Sequence, residues 1–344
     1  MWGSPRSRLL GLILTSVLVL FWMPGFGSRF IAPWDVLGDL WSGFIQGGWH
    51  VRETLDAQIF WQIRLPRVLF AFLAGSGLAV SGMTFQALFR NPLTTPYTLG
   101  IASGASFVAV LATFFGLTVM IGTYSFPGLF GLVGAFGTML LVYSLASLRR
   151  YFSMEVLLMA GVAINYWMAS AVVFVQYASD YTNVFRVLRT LLGGFEGITY
   201  GSFLELLPFV LPGLLILAGL CNELNLIALG DEIAVGRGLE LAKTRQWLFV
   251  ATALIVGGTV AVCGPIGFVE IIAPYICRLL IGSNHRILMP ATFCLGGILL
   301  CVCDTVARTL IAPAEIPVGA LTALLGGPFF IVLLLRKNLG KVSL

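Results

Sequence analysis

From Val68 to Phe89 the chain carries 22 consecutive residues without a charge, bracketed by Arg64 and Arg67 before and Arg90 after. At about 1.5 Å rise per residue, roughly 20 apolar residues match the ~30 Å hydrocarbon core of a bilayer. The stretch therefore predicts a membrane-spanning helix with a charged collar at each end. The same alternation of apolar run and polar punctuation predicts nine further spans: Leu9–Phe26, Tyr97–Ile121, Phe126–Leu148, Val156–Ala178, Phe203–Cys221, Gln246–Cys263, Ile266–Gly282, Ile287–Ile311 and Ile316–Leu335. Gly75, Gly77, Ser81 and Gly82 leave one helix backbone nearly bare, and Gly100 and Gly104 form a GxxxG in the next. Small residues at these spacings let helices approach closely inside a bilayer.

The first apolar run follows Arg6 and Arg8. A cleaved signal peptide is the alternative, but no small-x-small cleavage site follows, which favours an uncleaved first span. Residues 28–60 are mixed and carry Trp34, Trp41 and Trp49, as suits a loop lying at the membrane surface. With the N-terminus inside, 13 Lys and Arg residues fall in cytoplasmic segments and seven in outer ones. The positive-inside rule then puts both termini in the cytoplasm. The chain divides as a single transmembrane domain, 1–344: a first span (1–27), an outer loop (28–63), spans two to six (64–221), a polar cytoplasmic loop (222–243), and spans seven to ten with a short tail (244–344). Ala79-Val80-Ser81-Gly82 recurs as Ala261-Val262-Cys263-Gly264, and Pro92 as Pro274, both displaced by 182 residues. In this topology the copies run in opposite directions, the mark of a weak inverted repeat.

Composition agrees and removes other classes. The chain is 58% hydrophobic and 10% charged, against about a quarter charged in soluble domains. The net charge of +5 is spread over span ends rather than gathered as a nucleic-acid footprint. Six cysteines lie in or beside apolar segments without a CxxC pair, so they read as small buried hydrophobes. Gly340-Lys341 is followed by Val342 and lacks the upstream glycine of a phosphate-binding loop, so any ATP hydrolysis needs a separate subunit. No HExxH or GxSxG is present. An ion-coupled transporter would need carboxylates within the spans, and only Glu270 and Asp304 qualify. An intramembrane enzyme would need reactive groups at one depth, whereas His50 and His285 both lie outside the spans.

The segment from Asn222 to Lys243 is the most informative polar stretch. Asp231 can cap a short helix on which Ile233, Ala234 and Val235 form an apolar spot, with Gly236 or Gly238 ending it. Such a helix suits insertion into a partner's groove, the alternative being a solvated loop at the membrane surface.

The segments WQIRLPRVL, SGMTFQALFRNPLTTPYTLGIASGA, LLMAGVAIN, LIALGDEIAVGRGL, GPIGFVEIIAPYICRLL, NHRILMP, DTVAR and EIPVGALTALLGGPFFIVLLLRK stand in the order and spacing of one family. The chain resembles FecCD-type permeases, the transmembrane subunits of iron-siderophore, haem and vitamin B12 ABC importers. The resemblance implies an all-α polytopic membrane protein of about ten helices with the type II ABC importer fold, in a bacterial inner membrane. It implies a second permease copy (or a close paralogue), two ATPase subunits that use ATP and Mg, and a periplasmic binding protein. No cofactor bound by the chain itself is implied. The imported solute would be an iron chelate, with cobalamin as the alternative.

By the same resemblance, Arg64, Arg67 and Arg308 dock glutamates of the binding protein; the alternative is that Arg308 pairs with Asp304 or Glu315. Leu229, Gly230, Asp231, Glu232, Ile233, Ala234, Val235, Gly236, Arg237, Gly238 and Leu239 couple to the ATPase. Ser153, Met154 and Glu155 match a gate region in which the compared relative has small hydroxyl residues, so the gate role of Met154 and Glu155 competes with simple helix capping. Gly161 and Asn165 lie one turn apart on a helix that lines the pathway in the family, with packing against a neighbour as the other reading. Glu270 stands where glycine is usual, and Tyr275 where histidine is frequent.

Overall fold

The structure is a computed structural model that describes residues 4–27, 29–36, 54–117, 120–121, 124–125, 127–147, 154–178, 187–188, 191–312 and 314–335. Half of the outer loop (28 and 37–53), Ser153 and the tail from 336 onward lie outside the described residues.

Apolar helices follow one another along the chain: α1 (Pro5–Trp22), α2 (Leu65–Leu88), α3 (Ile101–Phe114), α4 (Pro127–Ser147), α5 (Met154–Tyr177) and α6 (Tyr200–Gly219). Two short helices then turn the chain, α7 (Cys221–Leu229) and α8 (Asp231–Gly236). The rest is α9 (Leu241–Cys263), α10 (Val269–Ile281), α11 (His285–Thr309) and α12 (Val318–Leu335). A two-residue antiparallel pair, Met120–Ile121 with Tyr124–Ser125, is the described β-structure. Helices dominate because hydrocarbon offers backbone groups no partner except within the helix itself. Hydroxyls inside the spans obey the same constraint: Thr84, Thr252 and Thr259 each donate to the carbonyl one turn earlier, at 2.9, 2.8 and 2.7 Å.

The second helix is the central post. It runs on from a π-helical turn at Ile59–Arg64 and packs against α6, α9, α10 and α11. Against α9 it is antiparallel, with Gly77 beside Ile255 and Phe85 beside Phe249. Against α11 it is again antiparallel. Gly75 meets Gly296, Ser76 donates to the Phe293 carbonyl at 2.8 Å, and Arg67 reaches Asp304. The small residues legible in the sequence thus serve three contacts: Gly75 against α11, Gly77 against α9 and Gly82 against the start of α10. A β-carbon on Gly75 would stand 2.6 Å from Leu300 Cβ and closer still to the Gly296 carbonyl. Gly75→Val is therefore expected to destabilise the bundle by about 1–3 kcal/mol, the usual cost of overpacking. A fall in the unfolding midpoint of the purified protein measures it, and an unchanged midpoint would contradict this packing.

One span differs from expectation. Tyr97–Ile121 was expected to be one helix, but residues 89–100 form turns and α3 occupies only Ile101–Phe114. Gly100, at φ +78°, supplies the left-handed residue from which α3 starts. The repeated tetrapeptide also falls on unlike places, within α2 in one copy and at the end of α9 in the other. What recurs is an order of elements: a long helix, a non-helical break, then a helix of 14 or 13 residues. The end of α2 meets the start of α10, where Gln86 donates to the Glu270 carbonyl at 3.2 Å.

Candidate functional site

One end of the bundle holds a buried ion cluster. Arg67 on α2 makes a forked contact with Asp304 on α11, with Nε and Nη2 donating at 3.0 and 2.8 Å, and Nη1 donates to Glu315 at 2.9 Å. Arg308, one turn beyond Asp304, lies 3.8 Å from its carboxylate and donates to the Met23 carbonyl at 3.0 Å. Arg64 donates to the carbonyls of Gly25 and Arg29, at 2.9 and 2.8 Å. Asp304 is fully buried and the three arginines are nearly so. A guanidinium fork matches a carboxylate bidentately, so one acid here organises α2, α11 and the approach to α12.

This alters the expectation for Arg64, Arg67 and Arg308. Their donor edges are turned inward and occupied within the chain, the arrangement that the sequence offered as the alternative for Arg308. The exposed charge at this end is carried instead by Arg29, paired with Asp56 at 3.4 Å, and by Glu315. Sequence spacing made Asp304–Arg308 legible as an i, i+4 pair. Arg67 lies 237 residues from Asp304, and nothing in the local pattern could join them.

At the opposite end α7 and α8 fold across the feet of α9 and α11. Gly230, at φ +127°, separates them and lies close to the Arg90 guanidinium. Asp231 does not cap α8 as expected: Gly230 holds the cap position, and Asp231 is the first helical residue. Its carboxylate pairs with Arg245 of α9 at 2.7 Å, so a charged strut holds the short helix in place. Ala234 is fully buried beneath, while Ile233 and Val235 are about half exposed. The helix ends at Gly236, and Gly238 at φ +84° turns the chain back toward α9. Asn225 braces this end by accepting the His285 backbone N–H at 2.9 Å, and Arg286 donates to Asn222. Two apolar side chains thus stand proud of a fixed helix.

Met154 and Glu155 begin α5 and line a cavity of about 340 Å³ with Phe89, Arg90, Asn91 and Leu158. Gly161 sits against the Leu99 backbone and Asn165 bonds to Ser103, so this pair packs on the start of α3. The outer face of α5 is bare and apolar, with Met159, Tyr166, Trp167 and Phe174 well exposed. Tyr275 is buried and stacks edge-on against Phe329 of α12. Among the described residues no group of three His, Cys, Asp or Glu could hold a metal ion.

A membrane-embedded helical body with an anchored coupling-type helix at one end and an ion-locked rim at the other has the build of a transport permease. The FecCD transport family model matches residues 12–336. The hemin transport permease HmuU of Yersinia pestis is 39% identical over 293 residues, covering 83% of this chain and 86% of that one. The vitamin B12 import permease BtuC of Klebsiella pneumoniae is 37% identical over 338 residues, covering 97% and 95%. A solved metal-chelate-type ABC transporter in an inward-facing conformation superposes with a TM-score of 0.82 at 31% identity, covering 96% and 99%. The chain belongs to the FecCD transport family, as a permease subunit of an ABC importer.

Proposed function

We propose that this permease carries an iron chelate, a siderophore complex or haem, from the periplasm to the cytoplasm of a bacterium by alternating access. Cobalamin is the second reading, supported by the BtuC likeness. The observation that carries the coupling half of the proposal is α8. Its strut to Arg245 fixes the helix, and Ile233 and Val235 offer an apolar knob that fits a groove on an ATPase subunit. With both termini in the cytoplasm, α8 faces the ATPase and the Arg67 end faces the periplasm. ATP and Mg belong to that partner.

The full importer is then two permease copies, two ATPase subunits and one binding protein. The bare faces of α5 and α12 suit contact with a second copy. Residues 229–239 transmit ATPase closure, and Met154 and Glu155, above their cavity, act where the inner gate moves. Binding-protein docking is proposed on the rim around Arg29, Asp56 and Glu315 rather than through the inward guanidiniums of Arg64, Arg67 and Arg308. The test uses the permease purified with its co-purifying ATPase and binding protein. Haemin, ferric hydroxamate and cobalamin are compared as stimulants of ATP hydrolysis. Stimulation by an iron compound alone is expected. Stimulation by cobalamin alone would favour the second reading, and the absence of any co-purifying ATPase would overturn the coupling assignment.

A further inference from the structure

The two helix breaks, 89–100 and 264–268, enclose something that neither end of the bundle explains. Thr95 and Thr98 from the first break, Phe268 from the second and Glu270 just beyond it on α10 line a cavity of about 450 Å³, with Leu192 as wall and Ala323 of α12 at its rim. That volume lies in the range of small-molecule sites, roughly 300–1,000 Å³. Glu270 is only 1% exposed, yet its Oε1 has no hydrogen-bond partner. The Thr95 side chain and the Tyr97 backbone are within hydrogen-bonding reach of the carboxyl, and among the described residues no arginine, lysine or histidine lines this cavity. Gly82 and Gln86 of α2 hold the turn from behind: a β-carbon at Gly82 would stand 2.7 Å from Glu270 Cβ. Phe268, on the cavity wall, has φ +67°, a strained value for an aromatic residue and one that recurs at functional sites.

A buried carboxyl with no counter-charge stays neutral or, if ionised, costs several kcal/mol. The start of α10 supplies part of one, since Glu270 is the second residue of that helix, but a helix dipole contributes only about 1 kcal/mol. Among the described residues lining the cavity Glu270 is the one acid, beside threonine hydroxyls, which suits a single positive charge rather than a divalent metal. The remaining walls are apolar. Half-helix ends and unwound backbone at depth are tolerated where they line a cavity. We propose that this cavity binds an organic monocation, an ammonium group on an apolar body, with Glu270 as counter-ion and the Thr95 and Thr98 hydroxyl oxygens accepting its remaining N–H bonds. The inference stands on this geometry and is independent of which solute the importer carries.

The test is calorimetric titration of the purified full-length permease in lipid nanodiscs with 4-phenylbutylamine at neutral pH, beside the uncharged 4-phenylbutan-1-ol. Saturable amine binding is expected, at least about tenfold tighter than that of the alcohol. Glu270→Gln, which keeps the shape and removes the charge, should weaken the amine about tenfold or more and leave the alcohol unchanged. Ala323→Trp, which fills the rim without touching Glu270, should abolish amine binding with an unaltered unfolding midpoint, and so serves if the first variant fails to fold. Equal amine affinity in Glu270→Gln and the parent, equal affinity of amine and alcohol, retained binding in Ala323→Trp, or no saturable binding would each overturn the proposal.

Discussion

Asp304→Ala is expected to be the most damaging single substitution in the chain, costing about 3–5 kcal/mol. The carboxylate is fully buried and receives three donor contacts from Arg67, with Arg308 beside it. Removing it takes the shared carboxylate from two buried guanidiniums, leaving Arg67 with Glu315 and Arg308 with the Met23 carbonyl, and breaking a buried pair on one side is far worse than never having built it. Net stabilities of roughly 5–15 kcal/mol leave little margin for such a loss. The double substitution Asp304→Leu with Arg67→Met removes both charges, and should lose much less than the single change. Arg308 keeps its bond to the Met23 carbonyl in either case. Unfolding midpoints of the three proteins, purified in the same detergent, decide the matter. An Asp304→Ala protein as stable as the parent would show that the cluster does not hold α2 to α11. Glu315→Ala, at the exposed margin of the same cluster, is expected to cost less than about 1 kcal/mol.

The second large effect is functional. Ile233→Asp with Val235→Asp should reduce chelate-stimulated ATP hydrolysis at least about tenfold and leave the permease folded. Both side chains already face outward, so charge there harms nothing inside the bundle. In a partner's groove each carboxylate would lie desolvated against apolar surface, at a cost of several kcal/mol. Arg245→Ala should act more gently on the same readout, because it removes the strut to Asp231 but keeps the knob. Full stimulation in the double aspartate variant would remove α8 from the coupling route.

How much of this was legible in the sequence follows from the range of each signal. Uncharged runs between charge collars located the spans, since hydrocarbon thickness acts on every window of about 20 residues. The short α3 escaped that count because a hydropathy window weighs apolar content and not backbone angle. The left-handed Gly100 sets the start of α3 inside an apolar run, and Gly116, at φ +63°, lies just past its end. Asp231 was read as a cap because a carboxylate before an apolar turn is a good cap. Arg245, 14 residues on, recruited it as a strut and Gly230 took the cap position. Arg64, Arg67 and Arg308 were legible as residues but not as geometry. Whether a guanidinium faces outward depends on Asp304 and Glu315, more than 200 positions away from Arg67. Glu270 was visible as a membrane acid, but its cavity is built from three distant stretches and had no local pattern.

The central claim is that this chain supplies a path but no energy. Lipid vesicles holding the permease alone, or the permease with its ATPase and binding protein, would be given external haemin and internal MgATP in the orientation that admits the binding protein. Accumulation above the external concentration only in the complete, ATP-loaded vesicles is the predicted result. Accumulation by the permease alone would contradict it.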